Sequence, residues 1–191
     1  MLTEAHRLYM KEMVTDEECG SMDTLTRTGR KDEKVMSTET SQQSQLYTFE
    51  IALISGPLSE KFIKKNPVVS RTIAIRDDHT FEDLHRAIFD AFEREEEHMF
   101  EFQIGGKGPQ DPSAQCYVSD AENAEAAGYV GDTRIDAAGL HEEMAFGYWF
   151  DYGDDWWHQV SVLSITEPIP KGRYPNVTRR TGASPPQYPD E

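Results

Sequence analysis

Cysteine is nearly absent: Cys19 and Cys116 are the only two, far apart and without CxxC spacing. That excludes a disulfide framework and a thiolate zinc knuckle, and it suits a reducing cytoplasm. No run of about 18 apolar residues is present to span a bilayer, and no charged segment leads into an apolar one at the amino terminus. A soluble cytoplasmic protein without membrane association is therefore expected, and the sequon Asn176-Val177-Thr178 is read as a chance match. Positive charge is scarce too. The 35 acids outnumber the 19 bases, and the net charge of −16 repels phosphate backbones. Nucleic acid is thus a disfavoured partner, with one local exception: Lys171, Arg173, Arg179 and Arg180 occur with no acid among residues 168–189. These four read as a solvated tail able at most to touch a phosphate.

Apolar residues make up 37% of the 191 residues, a low share that we assign to polar ends around a richer middle. Residues 1–45 lack sustained periodicity apart from an amphipathic piece near Leu2 to Met13, and they finish in the polar run STETSQQSQ, so they read as a mobile extension. Residues 46–189 read as a single domain. Its end, RYPNVTRRTGASPPQYPDE, holds four of the ten prolines and is expected to stay irregular, because proline removes backbone donors and fixes φ.

Within the domain, Tyr47, Phe49, Ile51 and Leu53 alternate with polar residues as in a half-buried strand that Gly56-Pro57 ends. Residues 68–76 repeat this with Val69, Ile73 and Ile75, and place Arg71 on the same apolar face, where it requires a carboxylate or carbonyl partner or an exposed edge. Thr80 and Asp83 form a capping box, and Phe81, Leu84, Ile88 and Phe92 follow at helical spacing, predicting a helix of about 14 residues that ends at the acidic cluster 93–97. His85, close to that stripe, reads as a packing or helix-flank histidine. His98, Phe100, Phe102 and Ile104 share one face of a further strand. Residues 105–132 read as a long irregular insert; the GGKG within it lacks phosphate-loop spacing. A short helical or turn segment is expected at 133–143. The sum is an α+β fold, with a mixed or mainly antiparallel sheet on one main helix, β-grasp-like in arrangement, and irregular tails at both ends.

The most aromatic stretch, FDYGDDWWHQV over residues 150–160, surrounds Gly153 with acids, tryptophans and a histidine. Two strands joined there by two or four residues form a hairpin, and either even length puts Asp151 and His158 on one face together with Trp149, while Phe146, Tyr148 and Phe150 face the core. Three readings stay open. The cluster is a cross-strand ion pair with packed tryptophans, a binding surface formed by Trp149, Asp154, Asp155, Trp156 and Trp157 with Arg71 as a further contact, or a catalytic pair in which Asp151 orients His158. A metal needs further ligands, for which His98 and His141 join Asp151 and His158 as weak candidates; no cofactor motif is present.

The segments VVSRTIAI, DLHRAIFDAF, HMFEFQIGG and FDYGDDWWHQV, followed by GRYP and a late PP, resemble the plasmid pRiA4b ORF-3-like family, over roughly residues 46–189. The resemblance implies a compact α+β domain of uncharacterised function associated with mobile elements, sometimes labelled a TnpR-like recombinase. A serine recombinase needs a nucleophilic serine on a helical domain with basic phosphate-binding residues, which this acidic chain lacks. The family's cysteine-bearing CPPEDCGG-like ending reads SPPQYPDE here, with Ser184 in the first cysteine's place, so the thiols that a metal or redox role would use are missing. The function expected is a non-enzymatic module binding a protein or small ligand. The alternative is a metal-assisted hydrolase or nuclease-like enzyme built on Asp151 and His158.

Overall fold

Alternation and capping set the framework seen in the computed structural model, which describes residues 44–188. Strand β1, Leu46–Ser55, buries Phe49, Ile51 and Leu53 as its period-two pattern requires. Strand β2, Ser70–Arg76, pairs with it antiparallel and directs Ile73 and Ile75 to the same side. Between them lies a short helix α1, Glu60–Lys65, capped by Ser59. Helix α2, Phe81–Ala91, starts at the expected box: the Thr80 side chain accepts from Asp83 N and the Asp83 carboxylate accepts from Thr80 N. It is shorter than predicted, because Phe92 caps it and Glu93 turns left-handed at φ 58°.

The chain continues through β3, Phe100–Ile104, β4, Gln115–Val118, β5, Gly128–Tyr129, a 3-10 turn at Ile135–Ala138, β6, Ala145–Phe150, β7, Trp156–Thr166, and β8, Asn176–Thr181. All eight strands form one sheet in the order β5-β4-β3-β6-β7-β1-β2-β8, antiparallel throughout except for the parallel pair β4/β5. The domain is thus mostly sheet. Helix α2 covers one face of it, with Phe81 stacked on Tyr117 at 5.3 Å and packed against Phe102 at 4.9 Å, and this inner face holds the hydrophobic core.

Two expectations are corrected. The insert 105–132 is not wholly irregular: β4 and β5 form within it, and its far end closes on the start of α2 through Glu82 N to Val130 O at 3.1 Å. The proline-rich end is not wholly irregular either. Asn176–Thr181 contains no proline and pairs with β2 at the sheet edge, where Pro175 and Pro185 flank it without interrupting the ladder. Arg179 and Arg180 therefore lie in a strand, whereas Lys171 and Arg173 lie exposed before it. The extension at 1–45 falls outside the described residues except for Ser44 and Gln45, whose Gln45 N donates to Asp77 Oδ2 at 2.9 Å.

Candidate functional site

Five residues, 151–155, connect β6 to β7, and the register Tyr148↔His158, Trp149↔Trp157, Phe150↔Trp156 follows from that odd count. The loop closes because two aspartates take left-handed backbone conformations, Asp151 at φ 56° and Asp155 at φ 54°, a region that aspartate tolerates better than most residues. The Asp151 carbonyl accepts from Asp154 N and Asp155 N, and its Oδ1 accepts from Gly153 N at 3.1 Å and Asp154 N at 3.3 Å. This buried aspartate is the keystone of the turn.

An odd loop inverts the expected sidedness of β7. Asp151 and His158 do not share a face. His158 points inward with Trp156, Tyr148 and Phe150, its ring 5.2 Å from Tyr148 and 4.9 Å from Phe92, while Trp157 joins Trp149 on the outer face. Asp151 instead meets His98, Oδ2 to Nε2 at 3.5 Å, and the same Nε2 lies 2.8 Å from the Tyr188 hydroxyl. The proposed Asp151–His158 pair is therefore absent, and with it the geometry for a general base or metal pair. His141 lies exposed, its Nδ1 2.9 Å from the Glu142 carbonyl, and no group of three His, Cys, Asp or Glu among the described residues is placed to hold a metal.

On the outer face three rings stack. Trp149 lies 4.8 Å from Trp157 at an interplanar angle of 13°, and 4.2 Å from Tyr152, whose side chain is the outermost of the three. Carboxylates fix the stack at its rim: Trp149 Nε1 donates to Asp155 Oδ1 at 3.1 Å, and the Tyr152 hydroxyl donates to Glu101 Oε2 at 3.2 Å. Burial and the charges of Glu101 and Asp120 push the Tyr152 phenol up, so it stays a donor. None of the ion pairs among the described residues uses Glu101, Asp120, Asp154 or Asp155. The result is an aromatic patch of Tyr152 and Trp149, backed by the buried Trp157 and edged by Glu101 and Asp155, which form no ion pair among the described residues.

The sequence profile described as "Plasmid pRiA4b ORF-3-like protein" matches residues 58–188, well over half of the chain. The chain belongs to the plasmid pRiA4b ORF-3-like family. No curated protein matches it. Among solved structures it is similar to a protein of unknown function, MM3350 from Methanosarcina mazei Go1, with a TM-score of 0.56 and 20% identity over 76% of this chain and 74% of that one, a likeness of fold alone.

Within this pRiA4b ORF-3-like domain the remaining sequence candidates prove structural. Trp156 is fully buried, and Arg71, 1% exposed, finds the carbonyl partners its position demanded: Nε donates to Ala91 O at 2.8 Å, Nη1 to Ser70 O and Thr181 O, and Nη2 to Ser184 Oγ at 2.8 Å. Ser184 is thus tied to Arg71 through its hydroxyl. His85 packs as expected, stacked on Phe100 at 3.5 Å, and bridges the Tyr148 hydroxyl at 2.8 Å to Glu97 Oε2 at 2.9 Å. Burial lowers the His85 pKa even though Glu97 pulls it upward, and raises that of Tyr148 well above its ordinary value. Tyr152, Glu101 and Arg94 were missed by sequence reasoning. Tyr152 sits in an acid-rich turn, Glu101 on the outer face of its strand with Met99 and Gln103, and Arg94 inside a run of glutamates.

Proposed function

We propose that this domain is a cytoplasmic, non-enzymatic binding module that takes a positively charged side chain of a partner protein on the Tyr152–Trp149–Trp157 surface. The observation that carries the reading is the ring stack edged by Glu101 and Asp155, neither of which forms an ion pair among the described residues. A lysine or arginine head over such a ring gains about 0.5 to 2 kcal/mol from the quadrupole, and the surrounding acids add attraction and exclude anions. Aromatic anchors also contribute much of the energy at protein interfaces. The overall charge of −16 works in the same direction, drawing basic partners and repelling nucleic acid. In this reading the family's link to mobile elements is one of carriage, and recombination chemistry belongs to other proteins.

Titrating the protein with a lysine- and arginine-rich peptide, with an acidic peptide of equal length and with duplex DNA tests this by tryptophan fluorescence. Saturable quenching is expected with the basic peptide only, weakened about tenfold by Trp149→Ala. Equal responses to both peptides, or an unchanged affinity in the variant, would contradict it.

A further inference from the structure

The inner side of the same hairpin carries a feature that the outer surface does not use. After α2 the chain returns a guanidinium to the core: Arg94 is 8% exposed, with its Cζ 3.6 Å from the Trp156 ring centroid and 5.8 Å from that of Phe150. Among the described residues its two terminal nitrogens have no hydrogen-bond partner and no carboxylate lies within ion-pair distance. Asp151, the acid whose charge it feels, commits Oδ1 to the turn and faces His98 with Oδ2. The indole N–H of Trp156 is likewise unpartnered. Two residues along the same strand face, the ring nitrogens of His158 have at most marginal contact with the backbone of Tyr148 and Trp156.

These groups are almost all donors: guanidinium termini, an indole N–H and one N–H of a neutral imidazole. Burying a cation and N–H groups without acceptors is costly, and native interiors rarely leave several such groups together unsatisfied. A small anion held by the Arg94 fork is the ligand that suits such a donor set, since charge-assisted bonds from a guanidinium to an oxyanion are the strong kind. Arg94 remains cationic at neutral pH, its pKa pushed down only to about 10 by burial.

A strap is fastened beside Arg94. Ser184 is held by Arg71, and Gln187 Oε1 accepts from Glu95 N at 2.8 Å and Glu96 N at 3.1 Å while its Nε2 donates to Glu96 O at 2.9 Å. The Tyr188 hydroxyl reaches Glu96 and His98. The strap thus fastens to residues 95, 96 and 98, immediately after Arg94.

We propose that Arg94, Trp156 and His158 form an occluded site for a small oxyanion, phosphate or carboxylate, that opens when the 184–188 strap lifts. The site lies on the opposite side of the sheet from the aromatic stack and does not depend on it.

The test uses the full chain with inorganic phosphate and with acetate, against chloride at matched ionic strength, reading the melting midpoint and tryptophan emission. Phosphate or acetate is expected to raise the midpoint beyond chloride; whichever does so identifies the oxyanion geometry. Gln187→Ala, which loosens the strap, is expected to bind several-fold more tightly, because less of the protein is held in the closed state. Arg94→Met is expected to lose the response at least about tenfold while keeping or gaining stability in its absence, since an apolar chain replaces an unpaired buried cation. Should Arg94→Met fail to fold, Arg94→Lys, which keeps the charge but not the fork, is expected to fold and bind more weakly. An anion effect equal to that of chloride in both wild type and Gln187→Ala, or one that persists unchanged in Arg94→Met or Arg94→Lys, would overturn the proposal.

Discussion

Two buried arginines show how partners decide what a charge does. Arg71 is enclosed by carbonyls and the Ser184 hydroxyl, so Arg71→Met removes the side-chain donor to Thr181 O and Ser184 Oγ, while Ala91 O keeps Arg180 Nη1, and is expected to cost roughly 2 kcal/mol in urea unfolding. A loss below about 0.5 kcal/mol would show that those bonds contribute little. His158 presents the opposite case, a buried imidazole with weak polar contacts beside the Arg94 cation. Burial first, and then Arg94, push its pKa from 6.5 down to about 3. Between those values the unfolded chain binds the proton and the folded one does not, so stability falls as pH drops below 6.5, by about 2 kcal/mol at pH 5. His85, also lowered by burial, adds to the same trend. His158→Phe is expected to flatten the pH dependence of the melting midpoint between pH 7 and 4; an unchanged slope would place the acid sensitivity elsewhere. Gly56 shows the packing limit of this region, because a methyl there would collide with the Trp156 ring.

At the scale of the element, the five-residue turn determines which side chains are core and which are surface. Deleting Gly153 leaves an even loop and would drive Trp156 and His158 outward in exchange for Trp157, so loss of the native near-ultraviolet circular dichroism is expected. A deletion variant with wild-type spectrum and melting would show that the turn does not set the register. The elements legible in the sequence are those with a strong period: β1, β2 and β3 by alternation, and α2 by its stripe and capping box. The hairpin's existence and the inward set Phe146, Tyr148 and Phe150 were legible as well. Its parity was not, because the left-handed positions are Asp151 and Asp155, where a glycine would have marked them. Strand β8 was hidden by neighbouring prolines, β4 and β5 by their shortness within a loop-like insert, and α1 by having no fully buried residue. The three-ring stack depends on register, and so could not emerge before the loop length was known.

Across the whole molecule, the sheet order brings together segments distant in sequence: β1 lies between β7 and β2, and β8 closes the edge beside β2. No helix among the described residues is long and apolar enough to cross a membrane. The acidic field acts over the entire surface, so affinity for a basic partner is expected to fall steeply between low and physiological salt, where the screening length shortens to about 8 Å. In the proposed function the ring stack adds a local, less screened contribution on which specificity would rest. Only nuclear magnetic resonance separates the two residue by residue, since each of the three tryptophans reports through one indole N–H. Adding a lysine-rich peptide is expected to move the Trp149 signal strongly and that of Trp157 less, with buried Trp156 unaffected. A peptide that binds while leaving the Trp149 signal in place, or that moves only Trp156, would contradict a binding surface at the outer face of this hairpin.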